Sequence, residues 1–483
     1  MQRVPGHVVA LGLVAAVVAT VAWWGGIAVG PAAAPDAAEH IRYAAYFDRT
    51  GHLPPKHTNY EYSSPPAYAV SAVYLQRLAR GLHVPDGAPL PLLPAWLRRL
   101  GWLALLAGAG LVLASRRVAP RQRAVAAVVA AVLVAAAVIA ALARARAVPW
   151  SSGQLISLAS ACTLVVVTAL LARRIFPSRA VAAAVAVGAL PVVVREAVVF
   201  HPELPFAAVV ALALLAFVRG AEAQWSARSA VAVGALLGVA ALTRQTAVAV
   251  ALALGAAALV AGRRDAVRFV AATAVALAVV AGPWWGYQVS RFGNPIQSNL
   301  DRPGYMLPHG QPRSFYVSFP VRDLALHPYR NAFTNELLPK FHADLWSDWY
   351  GVDRNFWEKP GVADRVLAST QSLLGLGGDA LVIFGFALLG APALRRRRDP
   401  LVVALGLLSL VAWVAFVATM VRYPQAAGDP IKSSYLLFLA PAAAIFAATS
   451  WGRLWRDRRG RIAITVWSLL YAVSFAAVLV TTY

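Results

Sequence analysis

What most constrains this chain is how its apolar residues are grouped. Runs of Ala, Val, Leu and Ile recur from end to end, and arginines gather in the short gaps between them. A helix of about twenty such residues is as long as a bilayer's hydrocarbon core is thick. In hydrocarbon the backbone must satisfy its own hydrogen bonds, which confines such a chain to a helix bundle. Only 13% of the residues are charged, about half the share usual in a soluble domain. The expected fold is therefore an all-α polytopic membrane protein with about 13 transmembrane helices. They are placed at about 7–29, 97–114, 124–142, 151–172, 180–198, 204–218, 229–242, 247–261, 269–290, 372–392, 401–420, 433–450 and 462–482. The Ala32-Ala33-Ala34 tract has the small residues of a cleavage site, yet many spans follow, and a retained first helix is expected.

Two polar stretches interrupt the pattern. The first, 30–95, is expected to carry two amphipathic surface helices, at about 36–49 and 66–80, with Val70, Val73, Tyr74 and Leu78 on one face of the second. The second, 291–371, reads as a larger outside loop or lid before the tenth span, rich in aromatic residues. The division that follows is a membrane module over 1–290, a loop over 291–371 and C-terminal helices over 372–483.

Charge orients the bundle. With the N-terminus cytoplasmic, inside loops carry 21 arginines and the short outside loops only 6 basic residues, as the positive-inside rule requires. The net charge of +23 is thus spread through short loops; no basic module is present, and nucleic acid is excluded as a partner. Of the 21 acidic residues only Glu222, Asp265, Asp399 and Asp457 fall inside; the other 17 lie in outside loops or, as Glu196 and Asp379 do, in the outer half of an expected span. Acidic residues contribute little to topology, so this gathering points to a functional surface outside the cytoplasm. Cys162, alone and in an apolar run, excludes an intrachain disulfide or thiolate metal site.

Chemistry-bearing groups cluster at the outer ends of the spans. Asp36, Glu39 and His40 follow the first span, and Asp36-Ala-Ala-Glu39 also fits a helix N-cap with an acidic residue three positions on. Arg195, Glu196, His201 and Glu203 crowd the end of the fifth span, where ionisable groups are costly unless they meet one another or a cavity. Arg244 sits between two spans with almost no loop, either snorkelling or presented to a phosphate. Asp429, Lys432, Ser433 and Ser434 make a turn that opens a helix, a simple cap or an anion site. Trp349 and Asp348 lie in the large loop, where aromatic faces anchor at the interface or stack on a sugar or prenyl chain. No phosphate loop, zinc-protease motif or nucleophile elbow is visible on the cytoplasmic side. An activated donor is then expected to be lipid-linked and used outside.

The order Asp36, Glu39, His40, then Gly51 and Pro54, then Tyr62, Pro65, Pro66 and Tyr68 resembles the GT-C superfamily of integral-membrane glycosyltransferases. It is most similar to the phospholipid-carrier-dependent, protein-O-mannosyltransferase-like branch. His201-Pro202-Glu203, Thr243-Arg244-Gln245 and Asp429-Pro430-Ile431-Lys432 add to the resemblance. It implies an inverting enzyme that moves a hexosyl or pentosyl group from a polyprenyl-phosphate donor to a lipid, glycan or protein acceptor. It also implies a place in the cytoplasmic membrane with the active site extracytoplasmic. Carried onto these residues, Asp36 becomes the catalytic base, with Glu39 and His40 beside it. Arg244 and Lys432 become donor-phosphate ligands, and His201 and Glu203 assist or hold a divalent cation, Mg²⁺ or Mn²⁺. Tyr62, Tyr68, Trp349 and Asp429 become substrate-lining residues. The rival class is a transporter or flippase, which should place ionisable groups near the middle of its spans.

Overall fold

The computed structural model describes residues 29–33, 36–56, 58–81, 148–262, 264–297, 306–333, 335–347, 362–396, 399–425 and 431–482. The spans expected at 7–29 (all but its last residue), 97–114 and 124–142 fall outside these residues, as do Trp349 and Asp429. Elsewhere the apolar runs are helices. They comprise α1 (Ala37–Thr50), α2 (Ala67–Gly81), α3 (Ser151–Ile175), α4 (Ala180–Gly188), α5 (Pro191–Ala197), α6 (Glu203–Glu222), α7 (Ala227–Ala241), α8 (Ala247–Gly262), α9 (Asp265–Phe292), α10 (Leu337–Trp346), α11 (Val362–Gly385), α12 (Pro400–Arg422), α13 (Ala440–Leu454) and α14 (Arg458–Thr482). Among the described residues, seven helical stretches are long and apolar enough to cross a membrane. The protein is an integral membrane protein built on helices.

Three elements differ from what the sequence predicts. The run expected at 180–198 is two pieces bent by 60°, because the ring of Pro191 restarts the helix after Leu190. The bend leaves α5 one short piece ending in the turn that carries His201. The run from 433 begins as a 3₁₀ segment, Ser433–Leu439, before α13 takes over at Ala440-Pro441. On α2, Val73 and Ala72 are buried whereas Tyr74 and Leu78 are more than half exposed, so the apolar residues divide between the body and the outside.

Close approach of small residues seats the helices, as expected where apolar burial cannot drive helices together in lipid. A Cβ on Gly234 of α7 would strike the Thr273 carbonyl of α9, and one on Gly385 would strike the Phe446 carbonyl of α13. The core joins Leu164 and Leu171 of α3 to Leu214 and Phe217 of α6, Leu254 of α8, Leu405 of α12 and Ile445 of α13. Segment 306–347 is fastened to this body. Met306 pairs with Gln425 past α12, and α10 buries Leu337, Lys340, His342, Ala343, Asp344 and Trp346.

Candidate active site

Asp36 starts α1 in a left-handed backbone conformation (φ 65°, ψ −13°), and its side chain makes no capping hydrogen bond. Only its carbonyl takes part in the helix, accepting from the amides of Glu39 and His40. The carboxylate is therefore available elsewhere, and Oδ2 accepts from the Lys432 ammonium. The helical repeat then sorts the neighbours. Ala37, His40, Tyr43 and Ala44 form the buried face of α1. Glu39 lies off that face; it bonds Arg42 at 2.5 Å and accepts the Tyr60 amide at 3.3 Å. It neither caps the helix nor meets Asp36's partner.

The α5–α6 turn is pinned from behind. The Phe200 amide donates to the Pro31 carbonyl at 2.9 Å, and Gln154 Nε2 donates to the Val29 and Val198 carbonyls. Ser157 Oγ lies 3.2 Å from the Val199 carbonyl and 3.3 Å from that of His201. This presents Glu196, His201 and Glu203, all buried, toward one point. His201 Nδ1 lies 2.8 Å from Glu196 Oε2 and 2.7 Å from Glu203 Oε2. One nitrogen cannot serve both carboxylates, and Glu196 Oε2, His201 Nδ1 and both Glu203 oxygens lack a partner in hydrogen-bond geometry. The other Glu203 oxygen, Oε1, faces Arg244 Nη2 at 2.8 Å.

From here the charges close on themselves. The Arg244 guanidinium lies 4.8 Å from the centre of the Tyr435 ring, and the Lys432 ammonium lies 5.6 Å from the same ring. On the other side, Arg195 Nη2 reaches Glu196 Oε1 at 3.3 Å and Nη1 reaches Asp344 Oδ1 at 3.1 Å. His40 stands edge-on to His201, ring centres 5.2 Å apart, with Glu61 Oε2 3.9 Å behind it. Burial alone would raise the Asp36 carboxyl, but Lys432, with His201 and His40 beyond it, holds it well below the usual carboxylate range. Burial would push Lys432 down, and Asp36 holds it above its ordinary value. His201 is likewise raised against its burial by Glu203 and Glu196, whereas burial lowers His40 despite Glu61.

The structure thus brings Asp36, His40, His201, Glu203, Arg244 and Lys432 into one connected cluster. Tyr68 stands at its back, buried on Phe200 with its hydroxyl 3.3 Å from Ser157 Oγ. Tyr62 is buried against Phe292. Four members went unassigned in the sequence. Glu196 lies five residues before His201, in the crowded end of the fifth span. Tyr435 lies one helical turn after Lys432, and Glu61 one residue before Tyr62. Asp344, 89 residues from Ser433, has no local signature. Beside Ser433 opens an apolar cavity of about 1060 Å³, lined by Leu190, Phe341, Leu376, Trp413, Leu437 and Phe475 among others.

Residues 131–287 match the family model of dolichyl-phosphate-mannose-protein mannosyltransferases. The GT-C resemblance stands. The matched third includes Glu196, His201, Glu203 and Arg244, while Asp36 and Lys432 lie on either side of it. No curated protein matches in sequence. Two crystal structures of ArnT from Cupriavidus metallidurans are similar at 15% identity and a TM-score of 0.40. One is the apo state and one is bound to undecaprenyl phosphate; they cover 91% of this chain and 76% and 77% of their own.

Proposed function

We propose that this chain is an inverting glycosyltransferase that moves a sugar from a polyprenyl-phosphate carrier to an acceptor hydroxyl on the extracytoplasmic side. One observation carries the reading: a carboxylate released from helix capping shares its ammonium partner with a cluster that ends in a second cation, Arg244. The acceptor oxygen attacks the anomeric carbon, its proton passes to Asp36, and the bond to phosphate breaks with its electron pair on the phosphate oxygen. Lys432 and Arg244 face the charge that grows there. A phosphodiester arriving at Lys432 competes with Asp36 for the same ammonium. Donor binding therefore raises the proton affinity of the base when the base is needed. The cavity beside Ser433 suits the carrier's apolar chain, with its phosphate held at Lys432. The donor named in the matched family, dolichyl-phosphate-mannose, is of the same class. The arginine-poor outer loops support the sidedness.

Glu196, His201 and Glu203 fit a divalent cation. Their ligand atoms lie within 4.8 Å of one another, all buried, and lack hydrogen-bond geometry among themselves. Two carboxylates and one imidazole suit Mn²⁺ as well as Mg²⁺. When bound, such an ion supplies positive charge toward the leaving phosphate.

The decisive experiment is transfer by the purified protein from a panel of polyprenyl-phosphate sugars. Asp36→Asn is expected to lower turnover per folded molecule by at least about 100-fold. Turnover within a few-fold of wild type would remove Asp36 as the base.

A further inference from the structure

Lys432 is set in place from both sides by residues of segment 306–347. The Ile431 carbonyl accepts from Arg330 Nε at 3.0 Å. On the other side, the Ser433 amide and the Ser433 hydroxyl both donate to Asp344 Oδ2, each at 2.6 Å. Asp344 is buried in α10, and its second oxygen, Oδ1, accepts from Arg195 Nη1 at 3.1 Å. Arg195 Nη1 also reaches Asp344's own carbonyl at 3.2 Å. Arg195 in turn holds Glu196, a member of the His201 cluster. One carboxylate thereby joins the two ends of the site.

We propose that Asp344 is the positioning residue of this site: it fixes the backbone of Lys432 through Ser433, and so fixes where the ammonium meets the donor phosphate. The inference rests on the reading of Lys432 as a donor-phosphate ligand. Three features carry it. The two shortest bonds of Asp344 go to the residue next to Lys432, and they leave the lysine side chain free to move between Asp36 and a phosphate. Charge-assisted bonds of this length are stronger and more directional than the neutral bonds that ordinarily seat a turn. Finally, Lys432 has an extended backbone (φ −130°, ψ 127°) ahead of a 3₁₀ segment, so helix geometry does not hold it. The large outer segment thus acquires a role other than stacking on substrate. It sets a cation from beneath.

The test uses the full chain in detergent, with undecaprenyl phosphate as the probe and tryptophan fluorescence as the readout. Wild type should bind, Lys432→Gln should weaken binding by at least about tenfold, and Asp344→Asn should weaken it by about tenfold. A merely structural aspartate would add its loss to that of the lysine. A positioning aspartate would not, so Asp344→Asn in the Lys432→Gln background should cost nothing further. Ser433→Ala should weaken binding by about threefold, and Ser433→Thr, which keeps the hydroxyl, should restore it. Additive losses, or wild-type binding by folded Asp344→Asn, would overturn the proposal. If Asp344→Asn does not fold, wild-type binding by Ser433→Ala overturns it instead. Should wild type and Lys432→Gln bind the probe equally, the reading of Lys432 fails, and the role of Asp344 falls with it.

Discussion

Two clusters in this protein use the same residue types and treat them oppositely. In the first, Glu196, His201 and Glu203 converge, and their facing atoms lack hydrogen-bond geometry. In the second, His342 and Asp379 meet beside the apolar cavity, and each facing polar atom has a partner. His342 Nδ1 lies 2.6 Å from Asp379 Oδ2, Nε2 lies 2.9 Å from the Ser372 carbonyl, and Trp346 Nε1 donates to Asp379 Oδ1 at 2.9 Å. Asp379 stands within the stretch Arg365–Ala393, where an unmatched carboxylate would be costly. A fully satisfied cluster holds helices together. A cluster in which one ring nitrogen faces two buried carboxylates, with none of the three in hydrogen-bond geometry, is the better candidate for a site.

The contrast can be broken by experiment. The largest effect is expected for Glu203→Gln, which should lower transfer per folded molecule by about 100-fold. A loss confined to stability would make the first cluster a strut like the second. Next, Glu196→Gln should weaken Mn²⁺ binding by about 10–100-fold in calorimetric titration, and chelation should reduce transfer. Full activity in excess chelator, with no heat of Mn²⁺ binding, would leave the cluster to acid–base and ion-pair roles. For the second cluster, His342→Gln should destabilise by about 1–3 kcal/mol while the folded fraction retains turnover within about twofold. A selective loss of turnover would bring the His342–Asp379 pair into the chemistry.

The smallest expected effect concerns pH. Asp36 has a depressed proton affinity, so its ionised form persists below the ordinary carboxylate value, near 3.9. Its contribution to stability is present above that value and is lost as pH falls through the lower folded one. Lys432→Gln removes the cation, so the acid limb of the pH–rate profile should move upward by about one unit. An unmoved limb would mean that another group sets it.

Much of this was legible along the chain, and the limit of legibility was distance. Ten expected spans coincide with helical segments because runs of apolar residues depend on composition alone. The bend at Pro191 was also written locally. Asp36 and Lys432 each stood out by their surroundings, yet they lie 396 positions apart, and no local pattern pairs them. The helical repeat of α1 could have separated His40 from Glu39, since residue 40 is four positions from Asp36 and Ala37, His40 and Tyr43 fall on one face. Asp344 could not be read at all. Its importance comes from a turn 89 residues away.

The left-handed backbone at residue 36 decides which substitutions are informative there. Among side chains with a β-carbon, only the short amide and carboxylate visit this conformation at modest cost. Asp36→Glu, the exchange that keeps charge, would lengthen the reach and burden the backbone at once, so its failure would say little about proton transfer. Asp36→Asn keeps the shape and the conformation and deletes the charge alone. At this position geometric likeness, rather than ionic likeness, makes a substitution conservative.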